Sequence, residues 1–232
     1  MLEAIASAPR RQRLGDQAYE KIKHDIIACR LSPGAEATEA GLAQHYSLGL
    51  APIRAALSRL TQEGLVNVVP RRGYIIAPIT SQSVQEIFEL RLLLEPAAAA
   101  AAAGRVDAAK LKKLSAGPYD GRGTAGNLQF LKDNRDFHVE IGRASGNERL
   151  ERILASILDE MVRLLHLGLF ARGDTQALRL DHKLQRRQHA ALVEALVDGD
   201  RKGAESIARQ HIEHSREMVM NAVARGAFSV RL

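Results

Sequence analysis

The sequence predicts a mainly α-helical protein with an N-terminal winged helix-turn-helix, including a small β-hairpin wing, and a C-terminal all-α antiparallel helical bundle. Residues 33–78 carry two short helical patterns, a tight turn between them and two apolar runs typical of a hairpin. Beyond this stretch apolar residues recur at helical spacing, and Ala and Leu are abundant. We expect a flexible arm at residues 1–14, a DNA-binding domain at 15–80 and a helical domain at 81–232.

A first helix is expected from Asp16 to Arg30, with Asp16 as its N-cap. Its apolar face should pack behind the helix-turn-helix and consists of Ala18, Ile22, Ile26 and Cys29. Because Cys29 is the single cysteine, an intrachain disulfide is excluded and a reducing, cytoplasmic compartment is expected. No apolar run has the length of a membrane span.

The helix-turn-helix is indicated by the first residues of its two helices. Thr38 suits the N-cap of a helix at Glu39–Tyr46. Pro52 suits the first turn of a second helix, because a missing N–H needs no partner there. Glu63-Gly64 should end that helix. Its apolar face is expected in the core and consists of Ile53, Ala56, Leu57 and Leu60.

The opposite face of the second helix is polar and includes Arg54 and Ser58. A helix lying in a major groove would present such donors to base edges and phosphates. The hairpin strands are expected at Leu65–Val69 and Tyr74–Ala77, and two arginines in the turn between them suit phosphate or minor-groove contacts. A small packing unit of helices and a hairpin is the alternative interpretation.

The charge distribution is compatible with a nucleic-acid partner. The formal net charge is +6. Residues 1–80 contain 10 Lys and Arg against 7 Asp and Glu, and residues 81–232 contain 23 against 20. The positive excess is therefore denser in the shorter part, where the helix-turn-helix is expected.

Six helices are expected in the second part, because breaks rich in glycine or polar residues separate six segments of helical periodicity. They are predicted at residues 81–103, 108–116, 127–144, 148–170, 175–197 and 201–225. The break before the third helix is placed at Gly121 to Gly126. This pattern is typical of an all-helical bundle.

Polar side chains interrupt the apolar stripes of three of these helices, at Asn134, His138, His189 and His211. A single core histidine usually donates a hydrogen bond to a carbonyl group. One interpretation is therefore that each of these histidines has only this structural role. If the three imidazoles meet, they could hold a divalent ion with the oxygen of Asn134, or with Asp133 or Asp136. Three nitrogens and one oxygen suit Zn²⁺, Ni²⁺ or Mn²⁺. His214 is a reserve ligand three residues after His211.

Two arginines are candidates for binding a small acid. Arg91 and Glu95 are spaced as an i,i+4 ion pair on a helix rich in Leu and Ala. The pair can be purely stabilising. Alternatively Arg91, or Arg163 on a later helix, points into the helical domain and binds a carboxylate through two hydrogen bonds.

Short motifs follow one another in a recognisable order. The first part contains Leu31-Ser-Pro-Gly34, Glu39 followed by Leu42-Ala43, Pro52-Ile-Arg-Ala-Ala-Leu57, Leu60, Glu63-Gly-Leu-Val66 and Arg72-Gly-Tyr74. The second part contains Glu89-Leu-Arg-Leu-Leu-Leu-Glu95, Asn134-Arg-Asp-Phe-His138 and Ala144-Ser-Gly-Asn147, followed by His189 and His211. In this combination nearly the entire chain resembles the FadR subgroup of GntR-family transcriptional regulators, with its FCD-type effector domain.

The resemblance implies a homodimeric repressor that binds a palindromic operator in double-stranded DNA and is controlled by a small organic or sugar acid. In that subgroup a metal is commonly held by an Asp or Asn and three His, which by motif are Asn134, His138, His189 and His211. The resemblance and the polar pattern together indicate the candidates for DNA binding, which are Thr38, Arg54, Ser58, Arg59, Arg71, Arg72 and Gly73. The candidates for the effector are Arg91 and Arg163.

Two departures from the family pattern fall in the DNA-binding part. Gly49-Leu50-Ala51 stands where the family usually has Ser-Arg-Thr, and Ala40 stands where it usually has a basic residue. Each good bidentate base contact contributes about 1–3 kcal/mol of discrimination. We therefore expect other side chains to carry more of the recognition, namely Arg54, Arg59, Arg71 and Arg72.

Three functions are compared. In the regulator, the effector completes the metal coordination, and the linker near residues 78–81 allows the winged domains to reorient. In a metal-dependent enzyme acting on a small carboxylate, Asp133, Asp136 or Glu140 would be the general base. The third is a helical interaction protein with a degenerate DNA domain. The basic winged domain favours the regulator, because catalysis has no use for it.

Overall fold

The structure is a computed structural model, and it describes residues 14–116, 124–168 and 175–224. The chain divides into two compact units. The winged unit extends to Ala77 without Ile27–Cys29, and the helical unit comprises Ile27–Cys29 and the chain from Pro78. The arm predicted at residues 1–14 lies outside the described residues except for Leu14. No helix in the described ranges is both long and apolar enough to cross a bilayer.

Within residues 14–77, the winged unit contains three helices and a three-stranded antiparallel sheet in the order β1-β3-β2. Its elements are α1 (Leu14–Ile27), β1 (Glu36–Ala37), α2 (Glu39–Tyr46), α3 (Leu50–Gln62), β2 (Val66–Val69) and β3 (Gly73–Ile76). The apolar face predicted for α3 is confirmed, since all four of its residues are buried. They pack with Ile22 and Ile26 of α1, Leu42 of α2, and Ile76 of β3. The predicted winged helix-turn-helix is therefore present.

The first helix lies earlier in the chain than predicted, and Asp16 is in its first turn and is not its N-cap, because Leu14 and Gly15 are already helical. It ends at Ile27, and Cys29 has a φ of 55°, a left-handed conformation that ends helices. The Leu31 N–H donates to the Asp25 carbonyl across this turn at 3.1 Å. The placement of Cys29 on the apolar face of the helix was thus wrong, because the chain has already left the helix there.

The small strand β1 was not predicted, because two residues carry no detectable alternation. Ala37 pairs with Tyr74 and Glu36 pairs with Ile75 on β3. Gly73 opens β3 with a φ of 104°, and a Cβ at this position would lie 2.9 Å from the Ala37 carbonyl oxygen. Glycine is therefore required where the wing passes closest to β1.

The helical unit contains six helices in its described part, as predicted. They are α4 (Ser81–Ala102), α5 (Ala108–Ser115), α6 (Thr124–Ala144), α7 (Glu148–Gly168), α8 (Thr175–Val197) and α9 (Arg201–Ala224). Helix α6 begins three residues earlier than predicted, so the break does not include Gly126, since an isolated glycine is tolerated within a helix. The predicted ends of α7 at Phe170 and of α9 at Arg225 fall outside the described residues.

Helix packing brings residues that are distant in sequence to one core. Helix α4 packs along α9 and contacts α6, while α8 also packs on α9. Thr80 and Ser83 form a capping box that fixes the start of α4. One core cluster joins these four helices around Phe137, Leu192 and Ala208. The residues adjacent to this cluster on α6, α8 and α9 are the ones that carry the predicted imidazoles.

Candidate functional site

Three of the predicted ligands meet in the helical unit. His138 on α6, His189 on α8 and His211 on α9 are all buried, and one ring nitrogen of each lies within 4.8 Å of the others. Phe137 stacks on the His189 ring, with centroids 4.1 Å apart. Each imidazole sits on the inward stripe of its helix, which is why three separate segments converge at one point.

The orientation of His138 is set by a buried carboxylate. Its Nδ1 lies 2.7 Å from Oε2 of Glu95, and Nε of Arg91 donates to Oε1 of the same carboxylate at 2.5 Å. Burial alone would raise the pKa of Glu95, but Arg91 and His138 hold it well below its ordinary range. In the neutral tautomer that donates from Nδ1, the lone pair is on Nε2, an atom that is buried and has no hydrogen-bond partner among the described residues.

The other two imidazoles are kept neutral. Burial, followed by nearby positive charge, lowers the pKa of His189 and His211 well below the ordinary value. Their Nε2 atoms are 3.4 Å apart, and Nδ1 of His211 lies 3.0 Å from Oε1 of Gln188. A neutral imidazole whose second nitrogen has a hydrogen-bond partner is the form that binds metals. The three residues therefore fit a divalent ion, both in donor type and in the unpartnered nitrogen of His138.

The predicted fourth ligand is close to the histidines but has a protein partner. Asn134 lies one turn before His138 and is half-buried, and its Oδ1 accepts a hydrogen bond from Nε2 of Gln185 at 2.5 Å. The alternative oxygens are engaged elsewhere, since Asp133 accepts from Gln129 and Asp136 accepts from Arg135. All three oxygen candidates therefore have a protein partner, but Asn134 lines the same cavity as His211 and the two aspartates do not.

A cavity of about 50 Å³ adjoins the histidine cluster at His211. Its polar lining comprises Arg91, Asn134, Gln185, His211, His214 and Ser215. The structure brings Arg91 to this cavity but not Arg163, which is buried on α7 and does not line it. His214, the reserve ligand, is a lining residue and is not part of the histidine cluster. Of the two predicted effector residues, Arg91 is therefore the one beside the candidate metal centre.

Three outer partners were not recognised from the sequence. Glu95 was predicted only as the partner of Arg91, and Gln185 and Gln188 were given no role in the site. The i,i+4 spacing could indicate the ion pair on α4. Nothing in the sequence shows that α4 meets α6 at His138, because this contact depends on the packing of distant helices.

The exposed face of α3 carries the predicted base-reading residues Arg54 and Ser58. The Arg54 guanidinium forms an ion pair with Glu39 at the first turn of α2. Arg59 pairs with Asp16 at 2.9 Å, and its guanidinium carbon lies 3.7 Å from the Tyr19 ring centroid. Arg54 and Ser58 therefore share the exposed side that is predicted to face the groove, whereas Arg59 is directed toward α1.

The wing places the remaining predicted DNA contacts at its tip and base. Arg71 is exposed in the turn between β2 and β3 with a φ of 66°. Arg72 is also exposed, and its nearest acid is Glu36 at 3.8 Å. Thr38 is the N-cap of α2, and its hydroxyl oxygen accepts from the Gly41 N–H at 3.0 Å. Gly73 provides the close approach to β1, so its role in the structure is conformational.

Comparison with protein families matches both units. Residues 14–76 match the bacterial regulatory proteins of the gntR family, and residues 86–214 match the FCD domain, which spans more than half of the chain. The Nta operon transcriptional regulator of Aminobacter aminovorans is 27% identical over 204 residues, 87% of this chain and 91% of that protein. The HTH-type transcriptional repressor GlaR of Escherichia coli is 28% identical over 221 residues, 89% and 96% of the two chains.

Solved structures show the same fold. Escherichia coli McbR/YncC aligns with a TM-score of 0.74 at 22% identity, over 90% of this chain and 97% of that one. A GntR transcriptional regulator from Rhodococcus sp. RHA1 aligns with a TM-score of 0.69 at 18% identity, over 90% and 98%. Both matched families and both sequence relatives are regulators, so the metal-dependent enzyme is set aside. The chain belongs to the GntR family of DNA-binding transcriptional regulators and carries an FCD domain.

Proposed function

We propose that the chain is a homodimeric repressor of a palindromic operator, controlled by a small organic or sugar acid that binds at a divalent metal in the helical unit. The observation that supports the metal is the convergence of His138, His189 and His211, three buried imidazoles within 4.8 Å of one another. Repression is supported by the relative GlaR, which is described as a repressor.

The residues that would hold the ion are the three histidines and Asn134. The Asn134 oxygen has two lone pairs, so it can accept from Gln185 and still serve as a ligand. When bound, an ion of the Zn, Ni or Mn class supplies open positions that attract a carboxylate. Glu95 fixes the His138 ring through Nδ1, which aims Nε2 at the ion position.

The acid would occupy the cavity beside the histidines. Arg91 lines this cavity and provides a cation for a carboxylate. The volume of about 50 Å³ is enough for ordered water and small for an organic acid. Binding of the acid would therefore shift the groups that line the cavity, and a ligand that binds one arrangement better than another can change DNA affinity.

The test is operator affinity in the presence and absence of the acid. A duplex is first selected from a random library with the full-length chain, and binding is followed by fluorescence anisotropy against a panel of small hydroxy, dicarboxylic and sugar acids. With metal bound, one class should weaken binding about tenfold, within the usual range of allosteric coupling. His189→Ala should bind the duplex and ignore the acid, while the control His45→Ala, an exposed imidazole of the winged unit, should respond normally.

Each part of the proposal fails separately. A normal response of His189→Ala would remove the metal from the switch. A wild-type chain that is insensitive to every acid class would remove the effector. A monomer in sedimentation, with and without the duplex, would remove the homodimer.

A further inference from the structure

The recognition helix α3 offers few donors at its N-terminal end. Its first residues, Leu50 and Ala51, have no polar side-chain atoms, and Gly49 before them has no side chain. Arg54 is the first polar side chain of the helix, and 66% of it is exposed. Arg54 is therefore the first side chain of α3 that can donate a hydrogen bond to a base edge.

A carboxylate holds this arginine by one edge. Nε of Arg54 lies 3.0 Å from Oε1 and 3.2 Å from Oε2 of Glu39, and Nη2 lies 2.7 Å from Oε2. The contact uses the Nε and Nη2 edge of the guanidinium. The N–H groups of Nη1 and the second N–H of Nη2 point away from Glu39. One N–H from each of these two nitrogens can donate to O6 and N7 of a guanine.

Glu39 is itself fixed at the base of the wing. It occupies the first turn of α2 behind the Thr38 cap, and its side chain is only 24% exposed. The Tyr74 hydroxyl on β3 donates to Oε1 at 3.3 Å, and Tyr74 pairs with Ala37 immediately before the cap. A chain of contacts therefore runs from the wing through Glu39 to Arg54.

An acid at this position opposes DNA binding in general. The hydrogen bond from Arg54 lowers the pKa of Glu39, so the carboxylate is ionised at neutral pH and repels phosphates. Its bidentate contact with the leading arginine of α3 gives a reason for its presence. A free arginine has many rotamers, whereas one held by a planar carboxylate has a fixed direction.

We infer that Glu39 is a positioning residue for base recognition, which orients Arg54 so that its outer N–H groups address a guanine in the operator. This goes beyond DNA binding as such, because it assigns the discrimination at one base pair of each half-site to a pair of residues. Glu39 acts through Arg54 and makes no contact with the base. Tyr74 supports the same orientation from the wing.

The test is the ratio of dissociation constants for the selected duplex and for duplexes changed at one base pair. Arg54→Ala identifies the base pair at which discrimination is lost. Glu39→Gln should lower the ratio at that same base pair about fivefold or more, since a bidentate contact contributes about 5- to 150-fold. Its affinity for unrelated DNA should be unchanged or higher. In the Arg54→Ala background, Glu39→Gln should have no further effect on the ratio.

The control is Glu36→Gln, which removes the same charge three residues earlier from a side chain that is 62% exposed. It should change affinity for all duplexes alike and leave every ratio intact. If Glu39→Gln does not fold, Glu39→Asp keeps the charge at the start of α2 but is too short for the two-edge contact, and it should show the same loss. An unchanged ratio in the folded variant overturns the inference. A higher ratio also overturns it, because Glu39 would then compete with DNA for Arg54.

Discussion

Charged side chains have opposite environments in the two units. In the winged unit, the pair between Arg54 and Glu39 lies at the surface. In the helical unit, Arg91, Glu95 and His138 form a buried chain in which no side chain is more than 6% exposed. A surface arginine changes partners at small cost, whereas removing one member of a buried set leaves an uncompensated charge. The pair in the winged unit thus contributes little to stability and leaves the outer N–H groups of Arg54 accessible, while the buried chain of the helical unit keeps its histidines in place.

The largest effect is expected from breaking the buried chain. Glu95→Ala removes the partner of Arg91 and of His138 at once. The free energy of unfolding, measured with denaturant and chelator present, should fall by about 3–5 kcal/mol. Glu86→Ala is the matched control, because this exposed acid lies on the same helix and should change stability by no more than about 0.5 kcal/mol. Equal effects of the two variants would contradict the contrast between the units.

A smaller effect is expected from a local contact in the winged unit. Thr38→Ala removes the hydroxyl that caps α2. Loss of such a cap lowers the free energy of unfolding by about 1 kcal/mol. Denaturant unfolding of Thr38→Ala beside Ser58→Ala, an exposed serine of α3, gives the comparison. If Thr38→Ala lowered the free energy of unfolding as much as Glu95→Ala, the local contact and the buried chain would not differ in stability as proposed.

The two units should also respond to acid in different pH ranges. Burial lowers the pKa of His166, so its contribution to stability is complete above about pH 6.5 and is lost as the pH falls through the folded value. Burial would raise the pKa of Asp25, but hydrogen bonds from Tyr46 and Arg30 lower it, so its contribution is complete above about pH 3.9 and is lost below. Unfolding curves should show that His166→Gln flattens the pH dependence below about 6.5 and Asp25→Asn only below about 4. An effect of Asp25→Asn at the higher pH and of His166→Gln only at the lower pH would contradict the stated causes of the two pKa shifts.

The smallest effect is expected from a surface ion pair. Asp16→Asn removes the carboxylate that pairs with Arg59, and about half of each side chain is exposed. Such pairs contribute about 0–1 kcal/mol and are screened by salt. Denaturant unfolding at low and at high salt should give a difference from the wild-type chain only at low salt. A salt-independent loss would show that Arg59 is held by more than this pair.

Much of the winged unit could be predicted because its signals are local. Thr38 marks the start of α2, and the apolar spacing from Ile53 to Leu60 marks the buried face of α3. The end of α1 and the strand β1 could not, because they depend on a backbone turn at Cys29 and on pairing with Tyr74. Local patterns therefore identify the elements, and tertiary contacts decide where they end.

In the helical unit the ligands could be predicted but not their environment. Periodicity and the family resemblance both select His138, His189 and His211, since each lies on an inward stripe of a long helix. The role of Glu95 depends on the approach of α4 to α6, and the partner of Asn134 depends on the approach of α8. The same dependence explains why Arg91 reaches the cavity and Arg163 does not.

The most direct test of the central claim is a titration of the purified, metal-free chain with Zn²⁺, followed by native mass measurement and thermal unfolding. The account predicts one ion per chain and a stabilisation of about 2.7 kcal/mol at a free ion concentration of 100 times Kd. His138→Ala, His189→Ala and His211→Ala should each lose the ion and the stabilisation, while His45→Ala keeps both. Retention of the ion by the three variants, or no ion in the wild-type chain, would contradict the account.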